Sequence, residues 1–243
     1  MIARLQPDKR IPEKLRETYA HLAGNVMWTY GALEELTFLF STSENVHLLN
    51  ETAPAFFVRH QGLLINDIAL SLSRMTDEKQ SGSRKNPQEN LTLARLLDLP
   101  DAQCQQLRTE LKKRWARISD AAKQLRTYRH KRLAHSDLAH HLSPSTKLGA
   151  DISIRSMKKL LDQISDFLST FDCFFTGVET TSYSPPASYG DADDLIAYLK
   201  SAIELKTKQR NEILKAADLA SARIEKQQGR HRDSSQQPEW ACD

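Results

Sequence analysis

Residues 154–175 read IRSMKKLLDQISDFLSTFDCFF. Ile154, Met157, Leu161, Ile164, Leu168, Phe171 and Phe175 recur at alternating steps of three and four. That spacing lays one apolar stripe along a helix of about 3.6 residues per turn. The stretch before it, SPSTKLGAD at 143–151, reads as a turn, and Asp151 or Ser153 is placed to cap the helix that follows.

The same periodicity governs most of the chain. Leu15, Tyr19, Leu22, Val26, Leu33, Leu36 and Phe40 form a first stripe, with Pro12 near its opening turn. Leu64, Ile68, Leu72 and Met75 form a second, in a segment running from about Pro54 to Met75. Thr76–Asn90 has almost no apolar content and carries Gly82 and Pro87, so it is expected to be a mobile loop. A short helix is expected at Leu91–Leu97, stopping at Pro100. Leu107, Leu111, Ile118, Ala122 and Leu125 then mark a helix that starts near Asp101 and runs toward His135. No segment reads as a strand. The fold class is therefore all-α: an antiparallel bundle of four main helices plus a short one, with a C-terminal helical arm. Aromatic residues on the helical faces, among them Trp28, Phe38, Phe40, Phe171, Phe174 and Phe175, are expected in the core.

The expected organisation is a bundle at 1–180, a Pro-rich linker at 181–190, a basic helical arm at 191–228 and a disordered tail at 229–243. Apolar residues make up 40% of the 243, and no apolar run approaches the ~18 that a membrane span needs. Three separated cysteines, Cys104, Cys173 and Cys242, exclude a disulfide scaffold and point to a reducing cytoplasm. Only 8 glycines argue against glycine-rich nucleotide loops.

Charge is concentrated. Between Arg108 and Arg132 stand ten cations and two anions, +8 on a chain whose total is +3. Such a stripe attracts phosphate backbones by counterion release, although it also suits a solvated helix face. The arm from Lys200 to Arg232 holds nine cations and four anions. Inside the first stripe lies Tyr128-Arg129-His130-Lys131-Arg132-Leu133-Ala134-His135-Ser136-Asp137, and four of the eight histidines fall between 130 and 141.

Three readings of that cluster stand open. His130, His135, Asp137 and His140 are metal-ligand types, but spacings of five do not align on a helix and the neighbouring cations repel a divalent ion. A histidine and an arginine suit acid–base chemistry on a phosphodiester, the imidazole moving a ribose 2′-hydroxyl proton and the guanidinium neutralising phosphate charge. Third, the residues cap a helix end and pair with Asp137. In one regular helix Arg129 and His135 stand roughly 9 Å apart along the axis and about 120° around it. They converge only if the helix breaks between them or if two copies pool their motifs at a two-fold axis.

Arg129-His130-x4-His135 resembles the Arg-polar-x4-His motif of the HEPN superfamily, and YRHKRLAHSD resembles its AbiU-type abortive-infection branch. Leu64–Asp77 (LINDIALSLSRMTD) and Asn90–Leu97 (NLTLARLL) resemble the same branch, over roughly residues 10–175. The resemblance implies a homodimeric, metal-independent endoribonuclease, without cofactor, in phage defence or as the toxin of a toxin–antitoxin pair. It implies His135 as the catalytic histidine, Arg129 as the phosphate-binding arginine and His130 at the polar position. Lys123, Arg126, Lys131 and Arg132 are the expected RNA contacts beside them. The alternative is a non-catalytic RNA- or protein-binding module of the same fold that works through an antitoxin or a nucleotidyltransferase; Tyr128 is then the hydroxyl open to modification. Asp67, Arg74 and Asp77 match the second segment and, on their own, read as a solvent-side ion pair beside a loop.

Overall fold

The computed structural model describes residues 7–83, 85–100, 104–134, 152–178, 183 and 191–234. It divides into two compact units, Met1–Ala192 and Asp193–Asp243.

The first unit is an all-α bundle. Helix α1 (Glu13–Phe40) opens after Pro12, and its stripe is buried from Leu15 through Leu36. α2 (Ser43–Thr52) is a helix that the apolar pattern did not announce. Its ten residues carry no continuous stripe, and polar contacts hold its start. The Thr42 hydroxyl accepts from the Asn45 N–H at 3.2 Å, and the Asn45 amide reaches back to the Phe38 carbonyl at 2.8 Å. α3 (Pro54–Met75) has proline in its first turn, where the missing N–H costs nothing.

The expected loop after α3 is instead a hairpin of two antiparallel strands, β1 (Gln80–Ser83) and β2 (Asn86–Glu89). Alternating hydrophobicity, the usual signal for a strand, is missing because the ribbon packs no apolar face. Polar contacts fasten its base. Arg95 donates to the Asn90 and Lys79 carbonyls, the Asn90 amide donates to the Glu78 carbonyl at 2.9 Å, and Lys79 pairs with Asp98 at 2.5 Å. Gly82 sits at φ +88°, and a Cβ there would fall 2.7 Å from the Asn86 carbonyl oxygen, so the turn demands glycine. The short helix that follows is a 3-10 turn at Leu93–Leu97, with Leu93 and Leu96 buried.

α4 (Gln105–Ala121) does not run on as one helix toward His135. It breaks at buried Ala122, restarts as α5 (Lys123–Tyr128), and then widens into a π-helical turn at Arg129–Ala134. α6 (Ile154–Thr176) is capped by Ser153 in a reciprocal box with Ser156, and Gly177 ends it in the left-handed region at φ +66°.

The core runs between α1, α3, α4 and α6. Phe167 and Phe171 are fully buried on α6, and Phe171 stacks on Tyr19 of α1 at 5.5 Å. The Tyr19 hydroxyl meets that of Tyr183 at 3.1 Å, and burial pushes its ionisation far up. Tyr30 donates to Asp162 at 2.8 Å, tying α1 to α6 a second time. Trp28 and Phe174 are not core residues: they are 61% and 46% exposed. Phe174 lines a shallow cavity with Gln106, Leu107 and Glu110 of α4 and is not enclosed by them.

The described residues of the second unit lie in one helix, α7 (Ala192–Ser234), which has Asp193 and Asp194 in its first turn. It continues past residue 228, where the tail was expected to begin. Leu205, Ile213, Leu214, Leu219 and Ile224 are all more than half exposed along it. Among the described residues no helix is long and apolar enough to cross a membrane.

Candidate functional site

The motif segment is assembled on the C-terminal end of α3. That helix stops because the Thr76 hydroxyl turns back to the Leu72 and Ser73 carbonyls, at 2.9 and 3.1 Å. Its last carbonyls need donors, and Arg126 of α5 supplies one. One Arg126 nitrogen donates to the Thr76 carbonyl at 2.7 Å and the other to the Ser119 carbonyl at 2.7 Å. A single guanidinium thus pins the end of α3 to the end of α4, at the place where Ala122 breaks the helical run. Its fork is occupied by backbone, so Arg126 offers structure here before it offers anything to RNA. Arg126→Ala is expected to cost about 2 kcal/mol in urea denaturation, with Arg126→Lys recovering part of it. A variant as stable as the wild type would contradict the pinning role.

Two residues further on, Tyr128 is buried, and its hydroxyl donates to Asn66 of α3 at 2.9 Å. Arg129 then begins the π turn, and its Nη1 lies 2.5 Å from the Asp77 carboxylate. Both side chains are about three-quarters covered, at 26% and 21% exposure. Asp77 therefore does not pair within its own segment. Its partner is the motif arginine, and Asp67 and Arg74 are left exposed on α3. The contact is monodentate. Among the described residues, the Arg129 Nε and Nη2 donors make no further bond. A guanidinium held by a carboxylate through one nitrogen keeps a fork whose geometry suits phosphate oxygens.

His130 and Lys131 follow on the π turn, both exposed. The widened turn changes the direction of successive side chains relative to an α-helix, and such turns often occur at functional sites. His135, the Arg132 side chain and the remaining metal-ligand candidates Asp137 and His140 lie outside the described residues. Among the described residues no group of three His, Cys, Asp or Glu side chains is placed to hold a metal.

The cationic stripe sorts into occupied and open members. Arg108 donates to the Leu99 carbonyl, Arg114 pairs with Glu110 at 3.0 Å, and Lys123 pairs with Asp120 at 2.6 Å. The Lys123 contact holds the Asp120 carboxyl below its usual range. Lys112, Lys113, Arg117 and Lys131 are exposed and carry no ion pair among the described residues. Trp115, in the midst of them, packs against the core.

A protein-family model for AbiU2 HEPN domains matches residues 9–171. The chain belongs to the AbiU2 family of HEPN domains. The match takes in the three segments that carry the resemblance, and with them every element that builds the site: α3 with Asn66 and Asp77, α5 with Arg126 and Tyr128, and the π turn with Arg129. The arm α7 lies beyond it. No curated protein and no solved structure matches the chain. In this AbiU2-type domain the sequence-predicted site residues Arg126 and Arg129 are found among the described residues in specific polar contacts with other segments. Asp77, the partner of Arg129, and Asn66, the partner of Tyr128, are the residues that motif reading did not connect to the site. The signal was present in the family-like segment at 64–77, but a partner 52 residues away in sequence is visible only in the fold.

Proposed function

We propose that this AbiU2-type HEPN domain is a metal-independent endoribonuclease that works as a homodimer. The observation that carries the proposal is Arg129: about three-quarters covered at the start of a π turn, and held by the Asp77 carboxylate through one nitrogen of its guanidinium. In this reading Arg129 takes the non-bridging oxygens of one RNA phosphate. A histidine accepts the proton of the neighbouring ribose 2′-hydroxyl, and the 2′-oxygen attacks phosphorus. The bond from phosphorus to the 5′-oxygen breaks, and an acid returns a proton to that oxygen. The products are a 2′,3′-cyclic phosphate end and a 5′-hydroxyl end, so no metal-bound water enters the step. His135 is assigned as the reacting histidine, with one copy from each protomer available as acid and base, and His130 completes the motif at the polar position.

The homodimer belongs to this reading because in one regular helix the arginine and histidine do not share a face, and a two-fold axis lets two copies pool their motifs. The run is interrupted at Ala122 and changes to a π turn at Arg129–Ala134, His135 lies outside the described residues, and the pooling of two motifs stays part of the proposal. Lys131 and the open cations Lys112, Lys113 and Arg117 would contribute non-specific phosphate attraction. The purified protein is expected to cut single-stranded RNA in the presence of EDTA; strict dependence on a divalent ion would contradict the proposal.

A second reading, a binding module that acts through a partner without cutting RNA, is favoured by the four open cations alone. Salt-sensitive RNA binding with no cleavage product would establish it. Modification of Tyr128 is disfavoured by its burial and its bond to Asn66, which leave the hydroxyl no access to a modifying enzyme in this fold.

A further inference from the structure

The outward face of α3 carries large apolar side chains that nothing in the chain is shown to cover. Phe56 is 60% exposed and Leu63 59%, and Leu70 is half-buried. Trp28, on the neighbouring α1, is 61% exposed, and the 2.8 Å contact of Glu35 with His60 sets that helix beside α3. Isolated exposed hydrophobes are ordinary, but several on one face mark an interaction surface.

The pattern on this face is symmetric about Leu63. Phe56 and Leu70 stand seven residues to either side, and Arg59 and Asp67 four residues to either side. At about 100° per residue all five fall within roughly 40° of the Leu63 direction, and the charged pair stands about 6 Å from it in each direction along the axis. Arg59 and Asp67 are exposed, and neither has an ion-pair partner among the described residues.

We infer that this face docks a second copy of the chain, the two α3 helices crossing antiparallel about a two-fold axis at Leu63. That arrangement sets Leu63 against Leu63 and Phe56 against Leu70, and brings Arg59 level with Asp67, each contact made twice. A parallel pairing would instead bring Arg59 against Arg59 and Asp67 against Asp67, like charges facing each other. The mixed sign and the apolar centre do not suit a polyanion. The self-complementary order suits an identical face.

This contact is distinct from the one that pools the motifs. Asp77 lies roughly 20 Å beyond Leu63 along α3, so the axis proposed here leaves two Arg129 side chains about 40 Å apart. The contact proposed here is centred on the middle of α3, whereas the motif lies at its C-terminal end. The inference does not depend on cleavage activity.

Sedimentation analysis of the full chain at micromolar concentration tests it. Leu63→Glu is expected to halve the assembly mass, and so are Arg59→Asp and Asp67→Arg taken singly, because each places like charges across the seam. Equal mixing of Arg59→Asp protein with Asp67→Arg protein is expected to restore the wild-type mass, since the mixed pair regains opposite charges at both positions. Circular dichroism shows whether each variant keeps its helix content, and Phe56→Ser serves in place of Leu63→Glu if that variant unfolds. A mass unchanged by Leu63→Glu or Phe56→Ser, or a mixture that stays at the halved mass, overturns the inference. RNA cleavage is not the readout, so its absence leaves this result intact.

Discussion

His135→Ala is expected to lower RNA cleavage by about 10²- to 10⁴-fold, the range that general acid–base catalysis by one side chain contributes. The fall should appear in kcat while RNA affinity changes little, because an imidazole that moves a proton in the transition state adds little to ground-state binding. Arg129→Ala is expected to cost about 10²- to 10³-fold, as for a lost donor to developing negative charge. Arg129→Lys should recover only part of that loss, because an ammonium keeps the charge and forfeits the planar fork. Single-turnover cleavage with the protein in excess separates these effects. If both alanine variants cut as fast as the wild type, the assigned roles are wrong and the cleaving site lies elsewhere.

Asp77→Ala is expected to lower cleavage by about 10- to 100-fold, although Asp77 touches no reacting atom. It is a positioning residue. Its carboxylate meets Arg129 at 2.5 Å with both groups largely covered, so its removal leaves a half-buried guanidinium free to swing and without its counter-charge. The same change should destabilise the fold by about 1–3 kcal/mol, below the figure for a fully buried pair because both side chains keep some solvent contact. Asp77→Asn retains an acceptor oxygen and is expected to fall between wild type and Asp77→Ala in activity. A purely structural role would lower stability in proportion and leave the rate per folded molecule unchanged. A positioning role lowers that rate, and the Asn variant restores part of it. Equal rates in folded Asp77→Ala and wild type would show that Arg129 finds its place without this partner.

The helical frame was legible wherever burial follows the helix period. Met157 through Phe171 and Leu15 through Leu36 are buried as their spacing requires, and Ser153 caps α6 as its position before the stripe suggests. What escaped was held by polar contacts. α2 depends on Thr42 and Asn45, and the hairpin depends on Arg95, Asn90 and Lys79 at its base, none of which generates an apolar period. Trp28 shows the opposite failure: a large apolar residue on a helix is taken for core, yet which side faces the neighbours depends on the packing of α1 and α3. The site was legible as a motif and not as a geometry. Arg129 stood out by residue type and spacing, whereas Asp77 joins Arg129 and Asn66 joins Tyr128 through contacts across more than fifty residues. The change from α to π at Arg129 likewise has no compositional mark in RHKRLA.

The central claim is that guanidinium and imidazole groups of this domain act on a ribose–phosphate link without a metal. End-group analysis of RNA cut by the wild-type protein in excess EDTA, run beside His135→Ala, tests it most directly. The account predicts 2′,3′-cyclic phosphate and 5′-hydroxyl ends from the wild type and almost no product from the variant. Products ending in 5′-phosphate, or equal cleavage by both proteins, would contradict it.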